Sequence, residues 1–270
     1  MNALLKSLIQ FLYPAQCRHC EENLDPADGH YICKSCWEEA RFIEEPFCQT
    51  CGSPLNSLAS LPKKVFSCDN CPDDIKFRKA RAIAYYYDSA VGTAIKLLKD
   101  QDKTISAVGT AITLLKDQDK TIMADPLADL MFNSMPRFLD VQDYDYIMPV
   151  PIHKKKMRKR GYNQMELIGR RLSTKTGIPL EVQSLVKSVN TLPQRGLSAE
   201  DRQENIKGSF EVPDRSEIEG KRILLIDDVM TTGATANECA KVLLKDGKVR
   251  YTDVLALTRV VYSSDFSGIL

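Results

Sequence analysis

The residues best suited to chemistry lie near the C-terminal end, where two adjacent carboxylates precede a loop of threonine and glycine. Residues 223–226 are apolar and predict a buried strand, with Asp227 and Asp228 at its carboxyl end. Residues 236–244 then predict a helix. Ligands of parallel sheets bind beyond the carboxyl ends of the strands, and N–H groups at a helix N-terminus favour phosphate. The stretch therefore predicts a sugar-phosphate site, in which the loop holds the phosphate and the two carboxylates accept from vicinal hydroxyls.

This stretch resembles the PRPP-binding signature of the type I phosphoribosyltransferases, in which two acidic residues precede a Thr-Thr-Gly-type loop. The resemblance implies that Asp227 and Asp228 hold the ribose hydroxyls of 5-phosphoribosyl 1-pyrophosphate (PRPP). A Walker A loop is excluded, because no Gly-Lys-Ser/Thr occurs here. The alternative is a purely structural strand, acidic turn and threonine-capped helix. The residues implied to wrap the 5′-phosphate are Thr231, Thr232, Gly233, Ala234 and Thr235.

A basic segment predicts a second anion site. Residues 144–150 predict a strand ending in Pro149, Val150 and Pro151, followed by a basic loop and by a helix that begins near Asn163. Lysine offers a point charge and arginine a bidentate fork for a pyrophosphate, which Mg²⁺ normally accompanies. Two alternatives stay open: a solvated charged face, and a groove for single-stranded nucleic acid with Tyr162 stacking on bases. The basic residues are Lys154, Lys155, Lys156, Arg158, Lys159 and Arg160.

Eight of the nine cysteines form four Cys-x-x-Cys pairs before residue 72. Each pair turns two thiolates toward one tetrahedral ion, so four pairs predict two structural zinc sites. Neighbouring pairs close short loops at low entropic cost, which favours sequential sites over a cross-brace. Disulfides and iron–sulfur ligation are the alternatives. The sequential sites would be Cys17, Cys20, Cys33 and Cys36, and then Cys48, Cys51, Cys68 and Cys71.

Other features set the organisation of the chain. Alternating strand and helix patterns predict an α/β fold with a parallel sheet flanked by helices over residues 76–270, behind a small double zinc ribbon over residues 1–75. Residues 1–13 predict a docking helix rather than a signal peptide. His19 and His30 are predicted at the surface, and Cys239 as a small buried apolar residue.

Residues 89–122 are a tandem duplication of 17 residues, whose copies differ only at Lys96 and Thr113. Each copy predicts a short amphipathic helix, and at about 100° per residue both cannot face one core from one straight helix. We therefore expect one of the two helices to be supernumerary.

Composition limits the classes of function. A hydrophobic content of 43% supports a packed core, and no apolar run is long enough to span a membrane. The net charge is +1, so a nucleic-acid surface would have to be a local basic patch.

Several motifs of the chain together resemble the ComF family. They are the cysteine pairs, the Pro-Val-Pro-Ile-His segment, the Arg160-Gly161-Tyr162-Asn163-Gln164 motif, the stretch with Arg195, Arg202 and Asn205, and residues 226–235. The resemblance covers nearly the whole chain apart from the duplication. It implies a bacterial cytoplasmic protein with a type I phosphoribosyltransferase-like domain that acts in DNA uptake during natural competence. Its expected partners are PRPP or a related nucleotide, single-stranded DNA and other competence proteins.

Two functions remain open on this resemblance. The first is a PRPP-binding protein that handles single-stranded DNA, and the second is an active phosphoribosyltransferase with an unidentified acceptor. For the enzyme we expect Asp227, Asp228, Arg195 and Arg202 to be catalytic, the arginines lying in a polar loop at 190–209 that shields the site. Pro149, Val150, Pro151 and Arg160 are expected to contact PRPP. The sequence identifies no aromatic or apolar wall for an acceptor base.

Overall fold

The computed structural model describes residues 15–25, 31–55, 68, 71, 74–87, 89–99, 123–191 and 198–261. Its centre is a four-stranded, all-parallel sheet in the order β1-β6-β5-β2. A short antiparallel pair, β3 and β4, lies apart from it. The strands are β1 (Ala80–Tyr85), β2 (Tyr146–Pro149), β3 (Val186–Lys187), β4 (Phe210–Glu211), β5 (Arg222–Met230) and β6 (Tyr251–Arg259).

Helices cover both faces of the sheet. Alternate residues of β5 supply two cores: Leu224 and Ile226 pack with α2, α3 and α5, whereas Ile223 and Leu225 pack with α7. This two-sided burial explains why residues 223–226 read as a continuous apolar run. The helices are α1 (Lys34–Glu38), α2 (Ala90–Lys99), α3 (Ala124–Ser134), α4 (Lys154–Arg160), α5 (Gln164–Thr176), α6 (Ala199–Ile206) and α7 (Ala234–Lys245), with 3₁₀ turns at Met135–Arg137 and Val141–Asp143.

The structure corrects three local predictions. The basic run is the helix α4 rather than a loop, because His153 caps its start, Gly161 ends it in the left-handed conformation, and lysine and arginine are good helix formers. Residues 190–209 are not all loop, since Ser198 caps the helix α6. Finally, β5 does not end at Ile226 but continues to Met230, because β6 pairs with it up to that residue.

Part of the duplication is described. The first copy contains α2, whose apolar face is buried between the sheet and α3. The second copy lies outside the described residues, as does the helix predicted over residues 1–13. Among the described residues, no helix is both long and apolar enough to cross a membrane.

The cysteines form two sequential groups of four, Cys17 to Cys36 and Cys48 to Cys71, as the loop-closure argument predicts. Within the groups, neighbouring Sγ atoms lie 3.4 to 3.8 Å apart. A tetrahedron with Zn–S bonds of about 2.3 Å has edges of about 3.8 Å, whereas a disulfide needs about 2.05 Å. The groups therefore suit zinc and not disulfides.

The other predictions for this region have mixed outcomes. His19 is half-buried rather than on the surface, and its Nδ1 lies 3.1 Å from Thr93 Oγ1 on α2. His30 is outside the described residues. Cys239 is fully buried in α7, as predicted.

The zinc module covers the edge strand of the sheet. Tyr85 N donates to Arg41 O at 3.0 Å, Ile43 N to Ile83 O at 2.8 Å, and Ala80 N to Thr50 O at 2.7 Å. These bonds use backbone groups that an uncovered edge would leave open to other chains.

Two buried arginines add to this attachment. Arg81 donates to Gln49 O at 2.9 Å, and Arg259 donates to Cys51 O at 2.8 Å. Both therefore hold the 48–51 turn, which carries two zinc ligands of the second cysteine group.

We predict that replacing Cys48 and Cys51 by serine leaves about one zinc per chain and lowers the unfolding temperature, because the turn against β1 loses its metal. Metal analysis and thermal unfolding measure both effects. Cys239→Ala is the matched control and should keep both ions. Retention of two ions by the double variant, or iron in the wild type, would contradict the assignment.

Candidate functional site

A cleft of about 950 Å³ opens at the carboxyl ends of the sheet strands. Each of the four strands supplies part of its wall: Tyr86 follows β1, Val150 follows β2, Asp227 lies in β5 and Val260 follows β6. Since β2 ends at Pro149, opposite Ile226, the two carboxylates of β5 lie just beyond the end of their neighbour. The structure thus brings the two predicted anion segments together at one edge.

Asp228 is the centre of a polar network. Its Oδ2 accepts from Lys99 Nζ at 2.8 Å and from Gln164 Nε2 at 2.6 Å. Gln164 in turn accepts from Arg160 through its Oε1. Asp228 is buried, so these donors offset much of the cost of removing its charge from water. The network joins β5, α2, α5 and α4 at one point.

The two neighbouring carboxyls titrate in opposite directions. Burial alone would raise the pKa of Asp228, but the charge and hydrogen bond of Lys99, with the donation from Gln164, lower it below the ordinary value. Burial and the adjacent negative charge of Asp228 raise the pKa of Asp227 to about 7. Asp227 is thus the carboxyl that gains most from a hydroxyl donor or a cation.

The loop after β5 starts α7 with its N-terminus toward the cleft. Gly233 has φ 82°, a left-handed conformation that favours glycine. Thr231, Thr232 and Thr235 line the cleft. The segment before β1 supports this helix, since Lys76 N donates to Asn237 Oδ1 at 2.7 Å. A helix N-terminus held in this way suits a phosphate.

The motif at 160–164 has a separate structural task for each side chain. Asn163 caps α5 by accepting from Met165 N at 3.0 Å, and its amide donates to Val150 O at 3.1 Å, which fixes the end of β2. The hydroxyl of Tyr162 donates to Leu98 O at 2.8 Å, and the ring packs against the core. Tyr162 is therefore fixed at its hydroxyl end and partly buried, which leaves only part of its ring exposed.

Positive charge surrounds the acidic pair. Burial, together with the charge of Lys156, lowers the pKa of Lys187 to about 8. Burial and the charges of Arg160 and Lys99 likewise lower the pKa of Lys156. An anion would relieve this repulsion. The cations lining the cleft are Lys96, Lys99, Lys156, Arg160, Lys187 and Arg202.

The predicted basic residues divide between two faces of α4. Lys156 and Arg160, one turn apart, line the cleft. The other four, Lys154, Lys155, Arg158 and Lys159, are exposed and do not line it.

Of the two arginines expected to be catalytic, Arg202 is buried and lines the cleft, whereas Arg195 lies outside the described residues. Of the Pro-Val-Pro residues, Val150 and Pro151 line the cleft, and Pro149 ends β2 beneath it.

Comparisons with known proteins agree with this arrangement. A family model described as a double zinc ribbon domain matches residues 8–72. Competence protein F of Haemophilus influenzae is 31% identical over 86% of this chain and 92% of its own length. The chain belongs to the competence protein F family. Competence protein ComFC of Bacillus subtilis is 25% identical over 84% of both chains. DNA utilization protein YhgH of Salmonella typhimurium is 32% identical over 46% of this chain and 56% of its own length.

The solved structures similar to this chain include adenine phosphoribosyltransferase from Thermoanaerobacter pseudethanolicus, which is 18% identical with a TM-score of 0.31. The similarity covers 54% of this chain and 83% of that one. The predicted architecture, a parallel sheet flanked by helices with a double zinc ribbon before it, is confirmed.

Sequence reasoning missed several lining residues of this ComF-family cleft. Lys99 lies in the duplication, to which we assigned no function, and the side chain of Gln164 was part of a motif without a stated role. Tyr86 and Tyr87 follow β1, which ends at Tyr85. A run of aromatic residues favours a strand, so the sequence did not distinguish these two as lining residues.

We predict opposite stability effects for two adjacent substitutions. The pKa of Asp227 is raised when folded, so its ionisation destabilises the fold progressively as pH rises from about 4 to about 7. Asp227→Asn should therefore stabilise the ligand-free protein at pH 8 more than at pH 5.5. We expect on the order of 1–3 kcal/mol, reduced for the partial exposure of this carboxyl.

Asp228→Asn is the matched control for this prediction. It should destabilise the protein at pH 8, because Lys99 and Gln164 lose their charged acceptor. Denaturant unfolding of both variants at the two pH values measures the effects. Changes of the same sign in both variants would show that the pair does not titrate as described.

Proposed function

We propose that this ComF-family chain binds PRPP with Mg²⁺ in the cleft and handles single-stranded DNA on an adjoining basic surface. One observation carries the proposal: a partly buried acidic pair lies between a helix N-terminus and a cluster of cations within a single cleft. Phosphate, vicinal diol and pyrophosphate are the three groups that such an arrangement matches, and PRPP carries all of them.

Each part of PRPP has a candidate contact. The 5′-phosphate would bind residues 231–235 at the start of α7, and the ribose hydroxyls would donate to Asp227 and Asp228. The pyrophosphate would lie toward Lys156 and Arg160. Mg²⁺ keeps several waters and binds carboxylates together with substrate phosphates, so the acidic pair fits its preferences.

Lys99 gives the ligand-free cleft a resting arrangement. Its ammonium satisfies Asp228 at 2.8 Å, which would otherwise be a buried carboxylate beside a second one. When ribose hydroxyls arrive as donors, Lys99 becomes available to a phosphate oxygen. The same lysine thus serves as counter-ion in both states.

Transfer of the phosphoribosyl group is the second candidate function. Its specific support is Arg202, which is buried yet lines the cleft, where its charge could stabilise departing pyrophosphate. The fold would then supply positioning and water exclusion, and an acceptor would attack the anomeric carbon.

A role in DNA uptake is suggested by the relatives and by α4. The relatives are named for competence and DNA utilization. The four outer basic residues of α4 are exposed and, among the described residues, form no ion pair within 4.0 Å. Unpaired cations on one helix face suit a phosphate backbone without base specificity.

We predict that Asp227→Asn together with Asp228→Asn weakens PRPP binding about a hundredfold or more, because each lost charged hydrogen bond is worth roughly 1.5–3 kcal/mol. Calorimetry with PRPP and Mg²⁺ measures this. Asp246→Asn, at the far end of α7, removes one carboxylate outside the cleft and should bind like the wild type. Wild-type affinity in the double variant would refute the assignment.

We further predict that the two faces of α4 separate the two ligands. Replacing Lys154, Lys155, Arg158 and Lys159 by alanine should flatten the salt dependence of oligonucleotide binding by up to about three units, at roughly 0.7 per phosphate contact, and leave PRPP affinity intact. Replacing Lys156 and Arg160 should weaken the binding of PRPP more than the binding of the oligonucleotide. Calorimetry with PRPP and oligonucleotide affinity measured against salt concentration distinguish the two variants. An unchanged salt slope in the outer-face variant would place the DNA surface elsewhere.

A further inference from the structure

The cleft has an aromatic corner that neither anion segment explains. Tyr87 lines the cleft with 56% of its surface exposed, although large aromatic side chains are usually well buried. Among the described residues, the other exposed large hydrophobic side chains are Phe132 and Val189, and neither lines the cleft. An exposed ring inside an anion-binding cleft offers a flat apolar surface that a phosphate group does not use.

The ring of Tyr87 packs against the ring of its neighbour Tyr86. The rings of Tyr86 and Tyr87 make an edge-to-face contact at 76°, with centroids 5.3 Å apart. Lys96 Nζ lies 5.5 Å from the centroid of Tyr86, which adds a cation–π contact. A Cβ on Gly92 would lie 2.0 Å from Tyr86 O, so α2 packs directly against this backbone. The corner is therefore supported by a helix and is not a loose chain end.

Sheet register gives the position of this corner relative to the phosphate loop. Tyr85 pairs with Arg259, and Arg259 pairs with Met230. The pattern continues past the strands, since Tyr86 N donates to Arg259 O at 3.0 Å and Val260 N to Met230 O at 2.9 Å. Tyr86 and Thr231 are thus two strand spacings apart, about 10 Å. A ribose lies between a 5′-phosphate and a base over a similar span.

From this geometry we infer that Tyr87, supported by Tyr86 and Lys96, is a stacking platform for a nucleobase whose sugar phosphate occupies the loop at 231–235. The inference rests on the proposed function for the phosphate end of the ligand. A nucleobase is the group that matches, because it is flat, presents a π-face to an aromatic ring and is attached to a sugar phosphate. The remaining apolar lining consists of Val150, Pro151, Ile152, Met165, Val229 and Val260.

The base could belong to a free nucleotide or acceptor, or to a nucleotide of a single strand. The test uses two pairs of probes that separate these sources. The first pair is adenosine 5′-monophosphate and ribose 5-phosphate, in which a hydroxyl takes the place of the base. The second is a six-nucleotide single strand with 2-aminopurine at one position, whose fluorescence falls on stacking, and the free 2-aminopurine nucleotide.

Four proteins are compared: the wild type, Tyr87→Ala, Tyr87→Phe and Phe132→Ala. Phe132 is a matched control, because it is an exposed aromatic residue outside the cleft. Wild type should bind adenosine 5′-monophosphate more tightly than ribose 5-phosphate. Tyr87→Ala should weaken the binding of the nucleotide about five- to hundredfold and leave the affinity for ribose 5-phosphate unchanged. Tyr87→Phe keeps the ring and should behave like the wild type, as should Phe132→Ala.

The outcomes are distinguishable from those of the proposed function. If only the single strand shows 2-aminopurine quenching that depends on Tyr87, the platform binds a base of DNA. If only the free nucleotide shows it, the platform binds a small ligand. If ribose 5-phosphate and PRPP fail to bind any protein while strand quenching still depends on Tyr87, the sugar-phosphate assignment fails and the platform stands. Equal affinity of Tyr87→Ala and wild type for both base-containing probes overturns the inference.

Discussion

The structure depends on the cost of placing two adjacent carboxylates in the central strand of a sheet. Asp228 is buried in β5 and Asp227 is partly buried beside it, and an unpaired buried charge there would be very expensive. The chain stabilises one of them with Lys99 and Gln164 and leaves the other with a raised pKa. The helices α2 and α5, which carry Lys99 and Gln164, must therefore meet at the end of β5, and their meeting forms the cleft.

The zinc ribbon takes part in the same construction. It covers β1 with backbone hydrogen bonds, and Arg81 and Arg259 hold its second metal turn against the sheet. Val260, which directly follows Arg259, and Tyr86, which follows β1, form part of the cleft wall. The metal sites therefore stabilise the edge of the sheet that carries the aromatic corner, in addition to folding their own module.

Local sequence patterns predicted much of this fold for identifiable reasons. The apolar run before Asp227 and the cysteine spacing are local signals, each contained in a short segment. They therefore predicted the strand and both groups of metal-binding cysteines. The convergence of distant segments is different in kind. Nothing near Lys99 in the sequence indicates Asp228 as its partner, because that contact depends on how α2 packs across the sheet. The basic run was predicted as a loop because its charge suggested an anion site. Its capping residues, His153 and Gly161, are nevertheless visible in the sequence and indicate a helix.

We propose that one cleft binds a phosphorylated sugar in a defined direction, and a crystal structure of the complex with PRPP and Mg²⁺ would show that direction. We expect the 5′-phosphate at residues 231–235, the ribose hydroxyls against Asp227 and Asp228, and the pyrophosphate toward Lys156 and Arg160. A ligand bound with its pyrophosphate in the 231–235 loop, or bound away from the acidic pair, would contradict it.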